Sequence, residues 1–101
     1  MYIVESLHSD MKTDDKESRY SFRMVKENFL NGQAFGIEVE RQDFMEGNII
    51  SIERDFISKI SNNEEKVREL LRLLYNYQVS PIHLVDILGE YVDNYVSDFN
   101  I

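Results

Sequence analysis

The sequence predicts an α+β fold: an antiparallel β-meander of about four strands, followed by two α-helices packed on one of its faces. Two observations carry this. Up to about Asp55, apolar residues alternate with polar ones, the period of a strand buried on one side; after Ser61 they recur at three and four residues, the period of a helix. The connections between the alternating segments are short and polar. Such links join antiparallel neighbours, because a parallel crossover needs a dozen residues or more.

The first strand is read at Tyr2 to Leu7, which is rich in β-formers. Ser9 to Ser18 is polar and charged, with Met11 as its sole large apolar residue, and is expected to be a long exposed loop. Tyr20, Phe22 and Met24 then alternate with Ser21, Arg23 and Val25. Asn31-Gly32, a pair that tolerates positive φ, marks the next turn. In the third strand Phe35, Ile37 and Val39 point one way and Gly36, Glu38 and Glu40 the other. Glu46-Gly47-Asn48 is a second tight turn, and Ile49 to Arg54 makes a fourth strand with Ile50 and Ile52 as its inward pair. The meander is thus placed at residues 2–56 and the two-helix segment at 61–98, within one domain spanning 1–101.

Ser61 and Glu64 fit a capping box, with the hydroxyl at the N-cap and the carboxylate at N3. Val67, Leu70, Leu71, Leu74 and Tyr77 follow as an apolar stripe, and Glu64 stands four residues before Arg68, a favourable surface pair. Ser80-Pro81 ends this helix and starts the next, since proline needs no amide hydrogen in a first turn. The last helix is expected from about Pro81 to Ser97. Its stripe of Ile82, Val85, Leu88, Val92, Tyr95, Val96 and Phe99 is widened by Leu84, Ile87 and Tyr91, leaving a narrow polar line of Asp86, Glu90, Asp93 and Ser97. A helix this apolar is either covered on most sides or meets another chain.

Composition excludes several classes. With 101 residues, 43% of them hydrophobic, the chain can bury a modest core, so it is not read as disordered despite its charge. It has no cysteine, which rules out disulfides and thiolate metal sites and suits a reducing, cytoplasmic setting. Tyr2 to Leu7 is too short, and interrupted by Glu5, to read as a signal peptide. The longest uncharged run, near Leu73 to Val85, contains Asn76, Gln78, Ser80 and Pro81 and is not a membrane span. A net charge of −8 argues against direct nucleic-acid binding or an anionic membrane, because phosphate contacts need clustered Lys and Arg. All 11 basic residues precede Leu73; residues 73–101 carry Asp86, Glu90, Asp93 and Asp98 and no base.

The chain resembles a family of short uncharacterised proteins from clostridia and related Firmicutes. The likeness lies in Phe35-Gly36-Ile37-Glu38-Val39, in the Ile50 to Ile60 segment, in the acidic-capped helix from Glu64, and in Val79-Ser80-Pro81-Ile82-His83-Leu84. Together these cover about two-thirds of the chain, and Ser9 to Ser18 is the part they support least. The resemblance implies no activity and no catalytic residues.

No catalytic, cofactor or metal site is read from the residues themselves. His8 and His83 are far apart and lack a third ligand at metal spacing, and His83, in a first helical turn, is read as a packing or capping residue. Glu38 and Glu40, roughly 7 Å apart on one strand face, are taken as solvated rather than as an acid–base pair. Asp86, Glu90 and Asp93 are taken as the wet side of a helix, since hard-cation sites draw ligands from loops or several elements. Gly36 marks a bulge or a close backbone approach, and Gly89, costly inside a helix, suggests tight packing. The expected function is a non-enzymatic protein–protein interaction or regulatory module that self-associates, with Leu84, Ile87, Leu88, Tyr91 and Tyr95 as interface residues. Two alternatives stand beside it: an acidic nucleic-acid mimic that inhibits a DNA- or RNA-binding protein, and a small ligand-binding domain or enzyme whose site is not visible in sequence.

Overall fold

Three two-residue turns organise the first 61 residues of the computed structural model, which describes residues 1–99. Strands β1 (Tyr2–Thr13), β2 (Lys16–Phe29), β3 (Gly32–Met45) and β4 (Asn48–Ser61) form one antiparallel sheet in the order β1-β2-β3-β4. Helix α1 (Glu64–Asn76) follows, then a 3-10 turn at Pro81–His83, helix α2 (Leu84–Tyr95) and a second 3-10 turn at Val96–Phe99. The α+β meander with two following helices is therefore the fold observed.

Each turn places at least one residue in the left-handed backbone region. Glu46 and Gly47 both have positive φ (52° and 82°), which matches the twist of the flanking strands. Leu30 (φ 56°), not Gly32, carries the strain of the β2–β3 turn, and Asp14 (φ 46°) that of the β1–β2 turn. The expected loop at Ser9 to Ser18 is instead a hairpin that closes on Asp14-Asp15. Its strands contain few β-formers, but cross-strand partners hold them: Asp10 stands opposite Arg19 and accepts its Nε at 3.2 Å, and Ser18 donates to Asp43 of β3.

Strands of 12 to 14 residues are about twice as long as the helices above them. The molecule accordingly measures 50 × 24 × 18 Å, and its core occupies one half of the sheet. There Phe22, Met24, Ile37, Val39 and Ile60 meet Val67, Leu71 and Leu74 of α1 and Leu84 and Leu88 of α2, all fully buried. Beyond Tyr20 and Val39 the same sheet face turns polar, with Ser18, Asp43 and Ser51 side by side on three strands.

The meander runs on to Ser61 rather than ending near residue 56, because a bulge lets β4 bend over the core. Phe35 pairs with Ser61 and Ile37 with Ile57, so β4 spends extra residues there, Lys59 takes φ 54°, and Ile60 is delivered into the core. Gly36 lies opposite this bulge, as its place in a strand suggested: an added Cβ would collide with the Ile57 carbonyl oxygen and lie 2.9 Å from Ser58 Cα. Ile50 and Ile52 are not an inward pair. Ile52 stands beside Gln42 on the face away from the helices, Ile50 sits in a second irregularity, and both are half exposed.

The caps differ from expectation too. Asn63 caps α1, its Oδ1 accepting from Lys66 N at 3.1 Å. Ser61 is buried two residues earlier, where its Oγ accepts from Asn63 N and donates to Asp98 Oδ2 (2.7 Å). Lys66 Nζ also reaches Asp98, so the C-terminal turn is strapped to the β4–α1 junction. Ser80 makes no side-chain cap bond; its carbonyl accepts from His83 N. Val67, Leu70, Leu71 and Leu74 form the buried stripe of α1 as expected, Tyr77 does not join it, and Glu64 pairs with Arg68 at 2.9 Å.

Candidate interaction surface

Burial divides the residues of the last helix. Leu84 and Leu88, expected at an interface, are fully buried in the chain's own core, and Tyr95 packs partly against it with Lys66 Nζ 4.8 Å from its ring centre. Ile87 and Tyr91 remain exposed on one flank. The other flank carries Ile82 and Val85, 66% and 55% exposed, followed by Gly89, Val92 and Val96 at helical spacing. This second flank lies beside β4, the strand on which α2 packs.

β4 is an edge strand, and several of its exposed residues are apolar: Ile49, Ile50 and Ile52 are each at least half exposed, and Phe56 is 37% exposed. Two depressions mark the seam between strand and helix. One of about 410 Å³ is lined by Ile57, Val85, Gly89, Val92 and Asp93. The other, about 360 Å³, is lined by Ile52, Glu53, Arg54, Asp55, Pro81 and Ile82. Gly89 is not tightly packed, contrary to expectation: a Cβ there would meet nothing within 4 Å. Edge amides invite pairing with another chain. Here the Phe56 N–H donates to its neighbour's carboxylate, Asp55 Oδ1, at 2.8 Å, which partly blunts that edge.

The polar candidates are otherwise engaged. On the open sheet face Glu38 and Glu40 are not a solvated pair, since Arg23 donates to Glu38 at 2.7 Å and to Glu40 at 3.3 Å, while Arg54 donates twice to Glu40 Oε2. Burial raises the Glu40 carboxyl, yet the hydrogen bonds from Arg54 and Arg23 outweigh it and hold the group below its ordinary value. A carboxylate held ionised in this way is a poor general acid. His8 Nδ1 lies 3.2 Å from Ser21 Oγ, and its Nε2 the same distance from Ser6 Oγ. With a serine rather than a carboxylate on each nitrogen, the pair lacks the orienting group of a catalytic triad. His83 is exposed and neither packs nor caps. Asp86, Glu90 and Asp93 are exposed on α2 and join none of the ion pairs among the described residues, where no cluster of three His, Asp or Glu side chains has metal-binding geometry.

Residues 1–94 match the model of a family of unknown function, DUF6514. The chain belongs to this family. The DUF6514 match runs through the β1–β2 hairpin, the stretch that the sequence resemblance supported least, and through nearly all of α2. No curated protein and no solved structure matches the chain significantly. Among the described residues of this DUF6514 chain, no helix is long and apolar enough to cross a membrane. The sequence does not reveal the seam, because alternation reads Ile52 as inward and a mid-helix Gly89 reads as tight packing. The signal that could have found it was Ile49, Ile50 and Ile52 together on the last strand of a meander, which has a free edge by construction.

Proposed function

We propose that the chain is a non-enzymatic, cytoplasmic protein-interaction module that engages a protein segment along the seam between the β4 edge and α2. One observation carries this reading: the free edge of the 14-residue strand β4 meets the exposed flank of α2 bearing Ile82 and Val85 across two depressions, while half-exposed Ile49 and Ile52 lie on the other face of the same edge. Apolar patches of this kind mark interaction sites, and strand addition supplies affinity through main-chain hydrogen bonds. Self-association through the last helix loses ground, because Leu84 and Leu88 are already spent on the core.

Photo-crosslinking in the protein's native cells tests the reading. A photoreactive residue at Ile52 or Val85 is expected to give discrete protein adducts, and one at Glu46, on the β3–β4 turn, to give none. Equal labelling from all three positions would refute the seam as the surface. An adduct of twice the chain's mass would identify a second copy as the occupant.

A further inference from the structure

Taking the seam as the binding surface, we infer that its occupant is an extended segment of a basic partner protein, apolar at alternate residues and bearing Lys or Arg, which adds to the sheet as a fifth strand beside β4. The inference rests on that reading of the seam and adds the chemistry of the occupant.

Gly89 supplies the first reason. A glycine inside a helix costs about 1 kcal/mol against alanine, and no neighbour within this chain requires one, since a Cβ would meet nothing within 4 Å. Its missing side chain instead opens the groove floor between Val85 and Val92, one turn to either side. A strand paired to β4 would lay its helix-side residues on that floor.

Charge supplies the second. Glu53, Asp55 and Asp93 line the two depressions, and Asp55 and Asp93 join no ion pair among the described residues. Arg54, the cation among the lining residues, already donates twice to Glu40. Glu53 stands opposite Arg41, but Asp55 and Asp93 leave the apolar seam flanked by carboxylates without an ion-pair partner among the described residues, which complements an apolar segment carrying cations. When such a strand arrives, its backbone can take the Phe56 N–H, freeing the Asp55 carboxylate for a partner cation.

A second copy is disfavoured at the central registers of β4. In a two-fold antiparallel pairing, residues equally distant from the axis stand opposite each other on one face. An axis at Glu53 or Asp55 sets each against its own copy. An axis at Arg54 sets arginine against arginine and Glu53 against Asp55. Like charges directly opposite destabilise a strand pair, whereas axes at Ile52 or Phe56 avoid them, the latter setting Glu53 against Lys59, so those registers are decided by sedimentation.

The test is an NMR titration of the isotope-labelled chain with two blocked peptides of equal length, one alternating valine with lysine and one alternating valine with glutamate. The valine–lysine peptide is expected to shift amides at Ile52–Ile57 and Val85–Asp93 and to bind at least about tenfold more tightly than its acidic counterpart. Gly89→Leu is expected to abolish those shifts while raising the thermal midpoint. Equal affinity of both peptides for the seam would overturn the basic partner and leave the seam standing. Shifts scattered over distant acidic residues, or unchanged binding by Gly89→Leu, would overturn the site itself. A dimer that sedimentation shows to be broken by Gly89→Leu would overturn the basic partner in favour of a second copy.

Discussion

Gly36 of β3 lies so close to Ser58 of β4 that a Cβ on the glycine would stand 2.9 Å from the Ser58 Cα, and closer still to the Ile57 carbonyl oxygen. Both obstacles are backbone, held by the bulge that delivers Ile60 to the core. Gly36→Ala cannot be relieved by a rotamer change, so it is expected to cost roughly 2–4 kcal/mol, at the upper end of overpacking effects. A urea midpoint within experimental error of the wild type would show that the bulge yields freely.

The caps give a paired prediction. Asn63→Ala removes the acceptor for Lys66 N and should cost about 1 kcal/mol, whereas Ser80 makes no such bond and Ser80→Ala should stay within about 0.5 kcal/mol. Denaturant midpoints of the two variants check the pair, and the reverse order would move the cap back to serine.

Asp43 should govern acid stability. Its buried carboxylate accepts from Arg41 Nε and Nη2 (3.0 and 3.1 Å), from Ser18 (2.6 Å) and from Ser51 (2.8 Å). The Arg41 bonds foremost, with the two serines, outweigh burial and hold the group well below the usual carboxylate range. A depressed folded value means that the stabilisation is complete above the unfolded pKa of about 3.9 and is lost as pH falls through the folded one. Stability should therefore drop steeply below about pH 4. Asp43→Asn should cost roughly 2–4 kcal/mol at pH 7 and flatten that drop. A variant with the wild-type acid profile would assign the drop to other carboxylates.

Leu30 offers a gain. It holds φ 56° in the β2–β3 turn with its side chain largely exposed. Glycine relieves about 1–2 kcal/mol of left-handed strain and gives back about 0.5–1 kcal/mol in chain entropy. Leu30→Gly should thus stabilise the fold by roughly 0.5–1 kcal/mol. A lower thermal midpoint would mean that the leucine side chain packs more than its exposure suggests.

The period switch, the turns and the α1 stripe were legible because each rests on local chemistry. Alternation in Tyr20–Val25 and Phe35–Glu40 identified the central strands, where one face is buried. The outer reaches were not legible: Ser9–Thr13 and Lys16–Ser18 are strand because Arg19, Asp43 and neighbouring backbone pair with them, although their own propensity points to loop. The face of Ile52 is hidden for a related reason. Strand alternation fixes two faces but not which one the helices cover, and the β4 irregularities break the count on both sides of it. The site suffered most, since a groove formed by an edge and a helix flank depends on how α2 lies across β4, which no local pattern encodes.

The most direct test of the seam is the crosslinking yield from Val85 in the Gly89→Leu background. A Cβ at this position meets nothing within 4 Å and leucine improves helix propensity, so fold and function are read separately. The account predicts a higher thermal midpoint together with adduct yield reduced to the level seen from Glu46. An undiminished yield from a stabilised protein would contradict it.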